Sequence, residues 1–133
     1  MEIQNKRLTL HLVLKRQWFE MIKSGVKTCE YRGITPFWAN RLLAANKNLR
    51  QWQEIWLYYA IWKWDADWKF PDDLISKFGV KPFTHVHFTL GYPARDETSR
   101  HMVKRIKEIV VAEGNPKWGA KPGKKYFVIR FKD

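Results

Sequence analysis

Alternation of apolar and polar residues near both ends of the chain is the feature that most limits its fold. The segment "LTLHLVLK" (residues 8–15) carries a leucine at every second position, and "THVHFTLGY" (84–92) and "YFVIRF" (126–131) alternate in the same way. A period of two is typical of strands that bury one face. In the middle segment we expect one buried face and one polar face, formed respectively by Val86, Phe88, Leu90 and Tyr92 and by His85, His87 and Thr89.

Helical spacing and capping residues predict three helices between these strands. The segment "RQWFEMIKSG" (16–25) ends at Gly25, which suits the C′ position of a helix. Thr35 and Pro36 suit the N-cap and first positions of a second helix, which we expect to run to about Asn46. "PDDLISKFG" (71–79) predicts a short third helix that Gly79 closes.

Three further segments are interpreted as strands. "VKTCEYR" (26–32) is rich in residues that favour β structure. "EIWLYYAIWKW" (54–64) is apolar on both faces, which favours a strand covered from two sides. The segment at 100–111 fits helix or strand, and its closing cluster Ile109–Val111 favours a strand. The order β-α-β-α-β, short helix, three strands predicts an α+β fold, whose mixed sheet of five to six strands forms a small β-barrel flanked by two to three helices.

Length and composition predict that residues 1–133 form one folded domain. Aromatic residues make up 16% of the chain and the hydrophobic set 45%, which argues against disorder. No apolar run reaches the roughly 20 residues that span a bilayer, and the N-terminus does not resemble a signal peptide. Cys29 is the single cysteine, so a reducing cytoplasmic location is expected, with Cys29 as a small buried side chain.

A large and unevenly placed positive charge points to an anionic partner. The net charge is +12, from 25 Lys and Arg against 13 Asp and Glu. From residue 100 to the end, ten basic residues stand against three acidic ones, a net +7. Nucleic acid is the commonest partner of such a surface, although charge of this kind also keeps a basic protein soluble. No membrane partner is expected.

A metal site has little support in the sequence. His85 and His87 share a strand face, as two ligands would, but no carboxylate or cysteine lies nearby in sequence to complete a site. We interpret the pair as part of an exposed polar face and predict neither a metal nor a cofactor.

The densest group of charged residues that could form a site lies in "SGVKTCEYRG" (24–33). On a strand, Glu30 and Arg32 point the same way, and the guanidinium can hold the carboxylate through paired hydrogen bonds. Lys27 sits at the turn into that strand, where its side chain can reach the same space. Spacing alone leaves two interpretations open, an exposed ion pair or the polar floor of a site.

This stretch resembles the GxKxxExR signature of ASCH domains, with Gly25, Lys27, Glu30 and Arg32 at the matching positions. The flanks are similar too: "LVLKRQWFEMIKSG" before the motif and "GNPKWGAKPGKKYFVIRF" at the C-terminal end. The resemblance implies a PUA-like β-barrel associated with RNA and modified nucleosides, in which the signature residues line a cleft.

The same resemblance implies an enzymatic alternative. Some relatives are amidohydrolases of N4-acetylcytidine or ribonucleases that need no metal, and the motif lysine of the amidohydrolase type is catalytic, which corresponds to Lys27. Glu30 stands where that type has a threonine, two residues before Arg32. The catalytic candidates are therefore Lys27, Glu30 and Arg32.

Aromatic residues bear on the ligand, because bases stack on their rings. Five of the eight tryptophans fall between Trp52 and Trp68, where we expect most to fill the core, with Trp56, Trp62 and Trp64 on one strand face beside Tyr58. Trp18 and Trp118, beside basic residues, are better placed for a ligand. The predicted nucleic-acid contacts are Lys15, Arg16, Trp18, Lys27, Arg32, Lys104, Arg105, Trp118, Lys121, Lys124 and Lys125.

Three functions remain open at this level. The first is a module that binds RNA or a nucleoside, and the second is a metal-independent hydrolase of RNA or of a modified nucleoside. The third is a protein-interaction domain that uses the Trp-rich segment as its contact face. The sequence does not predict an oligomeric state.

Overall fold

The computed structural model describes residues 7–45 and 48–132, which form a mixed α+β fold. This confirms the predicted class and, within the described residues, a mixed sheet of five strands accompanied by four α-helices. The helices are one more than the sequence predicts. In chain order the elements are β1 (Thr9–Leu14), α1 (Arg16–Lys23), β2 (Cys29–Gly33), α2 (Pro36–Leu42), α3 (Leu49–Trp64), α4 (Leu74–Phe78), β3 (His85–Leu90), β4 (His101–Glu113) and β5 (Lys125–Phe131).

The strands are ordered β1-β3-β4-β5-β2 across the sheet. β1 runs parallel to β3, with Leu12 opposite Phe88, and β3 runs antiparallel to β4. The alternation predicted for β1 and β3 is confirmed, because their even-numbered residues are buried and the residues between them are not. Tyr92 is the exception: β3 ends at Leu90, Gly91 turns the chain with a φ of +65°, and Tyr92 is 92% exposed.

The described chain divides into two compact units. Unit 1 contains residues 7–30, 82–108 and 129–132, and unit 2 contains residues 31–45, 48–81 and 109–128. Strands β2, β4 and β5 each contribute residues to both. In the described ranges, no helix combines the length and the apolar character needed to cross a membrane.

Helix α1 follows the sequence prediction closely. It buries Phe19 and Ile22, and Ser24 ends it. Gly25 has a φ of +85°, a left-handed conformation that glycine adopts without strain, so its predicted role at C′ is confirmed.

Helix α2 has the predicted start but ends earlier than expected. The Thr35 hydroxyl accepts a hydrogen bond from the Trp38 N–H at 3.4 Å, and Pro36 occupies the first turn. The helix ends at Leu42 because Leu43 is extended and pairs with Val80 in an isolated β-bridge. The predicted end, Asn46, lies outside the described residues.

The strand predicted at residues 54–64 is wrong, because this segment belongs to the 16-residue helix α3. The Asn48 side chain caps the helix, accepting from the Arg50 N–H at 2.9 Å. Ile55 is the residue that α3 buries, while most of its other apolar side chains are partly or fully exposed. Continuous apolar character misled the prediction, whereas the length of the segment favours a helix.

The remaining elements agree in type with the sequence. α4 is the predicted short helix closed by Gly79, and the ambiguous segment at 100–111 forms β4. β5 also forms where expected, but four consecutive residues of it, Tyr126–Ile129, are buried rather than alternating. A strand buried on both faces loses the period-two pattern.

Candidate functional site

Lys27 and Glu30 of the signature form a buried ion pair in unit 1. The Lys27 Nζ donates to the Glu30 Oε1 at 2.8 Å, and the two side chains are only 1% and 5% exposed. The turn at Gly25 creates this arrangement, since it reverses the chain and lets the Lys27 N–H donate to the Met21 carbonyl at 3.0 Å. Charges are rarely buried in so small a domain without a structural or functional role.

Trp18 covers the ammonium of this pair. The Lys27 Nζ lies 4.4 Å from the centre of the Trp18 ring, a cation–π geometry. Trp18 itself is half-buried, so part of its indole remains open to solvent. The predicted ligand residue Trp18 and the predicted catalytic residue Lys27 are thus in contact, with the indole over the ammonium.

Arg32 has its own contacts within unit 2. Its Nη1 donates to the Tyr31 carbonyl at 2.7 Å, and its guanidinium carbon lies 5.3 Å from the centre of the Trp38 ring. These contacts orient a partly buried guanidinium. The expected hydrogen bonds from Arg32 to Glu30 stay a prediction.

The tryptophans of residues 52–68 do not fill the core, which corrects the sequence prediction. Because α3 buries Ile55, the rings on its other sides face outward. Trp56 is 65% exposed and stacks on Tyr59 with ring centres 5.7 Å apart, and Trp64 is 91% exposed. On a helix the predicted common face of Trp56, Trp62 and Trp64 does not exist, because successive positions rotate by about 100°.

A cleft of about 720 Å³ lies within unit 2, where three segments meet. The loop after α3 supplies aromatic rings, the loop before β5 supplies lysines, and the end of β2 with the following turn completes the wall. Its volume falls in the range of small-molecule sites. The residues that carry side-chain chemistry there are Trp62, Asp67, Trp68, Lys69, Phe70, Asp72, Lys121, Lys124 and Lys125.

The aromatic wall of the cleft is held in place from behind. The Trp68 ring lies 5.2 Å from Phe70 and 5.6 Å from Tyr58, and Phe70 is buried. Trp68 is half-buried and Trp62 is 36% exposed, so both retain open ring surface.

The lysine wall is anchored at both ends of its loop. The Lys121 N–H donates to the Tyr126 hydroxyl at 2.9 Å, and the Lys124 Nζ lies 5.1 Å from the centre of the Tyr126 ring. The Lys125 Nζ donates to Asp72 Oδ2 at 2.7 Å, which joins the lysine loop to the aromatic loop. Lys121 and Lys124 are exposed, as expected for residues that contact an anion.

The structure brings only some of the predicted binding residues together. Lys121, Lys124 and Lys125 line the cleft, whereas the half-buried Trp118 lies in the 3₁₀ turn Pro116–Trp118 and is not among its lining residues. Lys15 and Arg16 are exposed at the start of α1 in unit 1, and Lys104 and Arg105 lie on opposite faces of β4 in the same unit.

Six of these cleft residues were missed by sequence reasoning: Trp62, Asp67, Trp68, Lys69, Phe70 and Asp72. The available signal was "WKWDADWKF" (62–70), where aromatic and charged side chains are interspersed around a turn. Because residues 54–64 were predicted to be a strand, the sequence did not indicate that the end of α3 and the loop after it form one wall of the cleft.

Cys29 and the histidines are the remaining candidates that the sequence offers. Cys29 is buried as predicted, at 8% exposure. Among residues 7–45 and 48–132, no three or more His, Cys, Asp or Glu side chains are grouped as metal ligands.

No family model, no curated protein and no solved structure matches this chain. The relation to ASCH domains therefore stays a prediction that rests on the signature and its flanks.

Proposed function

We propose that the protein binds single-stranded nucleic acid, RNA foremost, and holds a nucleotide in the cleft of unit 2. The observation that carries this proposal is that one cleft combines open tryptophan rings with exposed lysines. A nucleotide has the complementary pair of features, a flat base and a charged phosphate.

The aromatic wall supports base stacking. Trp68 is braced by Phe70 and Tyr58, so little conformational freedom is lost when a base packs on it. Trp62 offers a second, more exposed ring in the same cleft. Stacking of one base on such a ring contributes about 1–3 kcal/mol and tolerates any base.

The lysines support phosphate binding. Lys69, Lys121 and Lys124 are exposed lining residues whose flexible ammonium groups bind phosphate as point charges. The net charge of +12 adds long-range attraction for a polyanion. Binding releases counterions from the nucleic acid, and added salt opposes this release. Affinity should therefore fall as the salt concentration rises.

Fluorescence anisotropy of a labelled single-stranded oligonucleotide tests the proposal directly. Trp68→Ala should weaken binding by about tenfold or more, the equivalent of one lost stack. The matched control is Trp64→Ala, because Trp64 is 91% exposed and does not line the cleft. Equal losses in both variants, or no binding by the wild type, would contradict the proposal.

The phosphate part is tested by salt dependence. The double variant Lys121→Gln/Lys124→Gln should lower the slope of log K against log salt by about 1.4, at about 0.7 for each phosphate contact on a single strand. Lys23→Gln/Lys63→Gln removes two exposed charges outside the cleft and should leave the slope nearly unchanged.

A hydrolase that uses Lys27 and Glu30 is the second candidate, favoured by the direct contact between ammonium and carboxylate away from water. A proton can pass between groups held at hydrogen-bond distance. Trp18 covers the ammonium, so substrate would have to displace the indole. Lys27→Arg keeps the positive charge but cannot act as a base, and unchanged RNA cleavage or deacetylation by this folded variant would remove Lys27 from the mechanism.

A further inference from the structure

All four histidines of the chain lie on one face of the sheet in unit 1. The registers place His11 opposite His87 on β1 and β3, and Thr89 opposite His101 on β3 and β4. His85 lies two residues before His87 and so points to the same side. We call this surface the histidine face; it consists of Thr9, His11, Val13, His85, His87, Thr89, His101, Val103 and Arg105.

Three of the imidazoles form a connected cluster. The His11 and His87 rings meet edge to face with centres 5.2 Å apart, and the His87 Nε2 lies 2.9 Å from the His101 Nδ1. The His101 Nε2 lies 2.9 Å from the Ala94 carbonyl oxygen, which can only accept a hydrogen bond. The Ala94 contact therefore fixes where the protons of the neutral cluster sit.

The proton positions follow in sequence. His101 donates from Nε2 to Ala94, so its neutral ring accepts at Nδ1 from the His87 Nε2–H. The remaining nitrogen, His87 Nδ1, can take up a proton without breaking either hydrogen bond. The cluster thus has a defined place for one additional positive charge.

The charged groups that act on this cluster are cationic. Partial burial lowers the pKa of His87, and the neighbouring His11, His101 and Arg7 lower it further. Partial burial likewise lowers the pKa of His85, followed by the effects of Arg7, Arg105 and Lys132. The carboxylate nearest to His101 along the chain, Glu97, accepts a hydrogen bond from the Ala94 N–H at 3.0 Å and lies 3.7 Å from the Arg100 Nη1.

We propose that the histidine face is a second contact for the phosphate backbone of single-stranded nucleic acid, and that it takes up a proton when the strand binds. This inference rests on the proposed function. A phosphate brought close to His87 would offset the repulsion from its cationic neighbours and so favour the protonated ring. Val13 and Val103 on the same face are 44% and 47% exposed, so the face also offers open apolar surface to a sugar or base.

Proton uptake can be measured without labelling the protein. Because all four histidines of the chain lie on this face, proton uptake by histidine reports on this face alone. A uridine 12-mer without terminal phosphates adds no titrating group, and the α-amino group is already protonated at about pH 6.3. Calorimetric titration in two buffers of different ionisation enthalpy then gives the number of protons taken up per strand.

We expect the wild type to take up about one proton, so that affinity rises by up to about tenfold for each unit by which pH is lowered. His11→Asn/His87→Asn should lose most of this uptake, so its affinity should no longer rise as pH is lowered from about 7.5 to about 6.3. Trp68→Ala, the cleft variant, should bind more weakly with uptake unchanged. A cooperative thermal unfolding transition at about pH 7.5 would establish that the histidine variant is folded.

A second pair of variants tests the face without changing a histidine. Val103→Glu places a carboxylate opposite His87 and should weaken binding several-fold, whereas Val26→Glu adds the same charge at the exposed turn after α1 and should not. The inference is overturned if the oligonucleotide binds without proton uptake, or if Val103→Glu and Val26→Glu weaken binding equally. Either result leaves the proposed function standing. Absence of binding at both pH values overturns both.

Discussion

The side chains of Lys27 and Glu30 meet at 2.8 Å with almost no exposed surface, although one precedes β2 and the other lies within it. Burial makes this pair different from the exposed ion pair between Arg16 and Glu20, whose charged atoms are 3.8 Å apart. In the sequence the two pairs look alike, with their members three and four residues apart. Only the fold shows that the pair of Lys27 and Glu30 is the buried one.

Removing one member of the buried pair should destabilise the protein strongly. Lys27→Met leaves the Glu30 carboxylate in a water-poor position, and we expect the free energy of unfolding to fall by about 3–5 kcal/mol. Lys27→Met/Glu30→Leu should recover much of this loss, because neither charge remains. Urea unfolding measures both variants, with Arg16→Ala as the exposed control at under about 1 kcal/mol. A single variant as stable as the control would contradict the buried pair.

Gly114 should tolerate no side chain. A Cβ at this position would lie 2.5 Å from the Ala120 Cβ and 2.8 Å from the Tyr31 ring, and the Tyr31 hydroxyl also accepts from the Asn115 N–H at 2.9 Å. We expect Gly114→Ala to cost about 1–3 kcal/mol in thermal or urea unfolding. At Gly33 a Cβ would meet only the Thr35 methyl, at 3.6 Å, so Gly33→Ala is the matched control and should be nearly neutral.

Stability should fall as the pH drops through the histidine range. The folded state lowers the pKa of His85 and His87, mainly by partial burial, so the unfolded chain binds more protons below about pH 6.5. The loss begins near the unfolded pKa and is complete below the lowered folded pKa. Melting temperatures of the wild type and of His85→Asn/His87→Asn, followed from about pH 7.5 to 5, should converge with acidification; parallel curves would contradict the expectation.

A second pH effect should appear at lower pH, from the contact between α3 and α4. Hydrogen bonds from Lys77 and then Tyr58 lower the pKa of Glu54, while Glu54 raises the pKa of Lys77. The stabilisation is present above the ordinary glutamate pKa of 4.5 and is lost as pH falls through the lowered pKa of Glu54. Glu54→Gln should therefore lower the melting temperature at neutral pH and leave it little changed in acid, with Glu20→Gln on α1 as the control.

Local signals explain what the sequence could predict. Gly25, Thr35 and Pro36 act through their own backbone conformation or their nearest neighbours, so the ends of α1 and the start of α2 were predictable. The alternation of β1 and β3 likewise reflects one buried and one open face, which placed His85 and His87 correctly.

Long-range pairing explains what the sequence did not predict. His101 joins the histidine face only because Thr89 pairs with it across β3 and β4, and no pattern within β4 specifies that register. α3 was misassigned because its outward rings resemble core residues in composition, and exposure of Trp56 and Trp64 is decided by what packs against the helix. The cleft depends on both effects and was predicted only at Lys121, Lys124 and Lys125.

The hydrogen bond between Lys125 and Asp72 means that the Asp72 carboxylate competes with any anion that enters the cleft for the Lys125 ammonium. Both side chains are substantially exposed, at 45% and 68%, so the contact can open without unfolding its surroundings. A singly charged small anion offers Lys125 no more than Asp72 already does, whereas a chain of phosphates would also reach the neighbouring Lys121 and Lys124. We therefore expect Asp72 to compete with small anions, so that the cleft would prefer a polyanion to a free carboxylate.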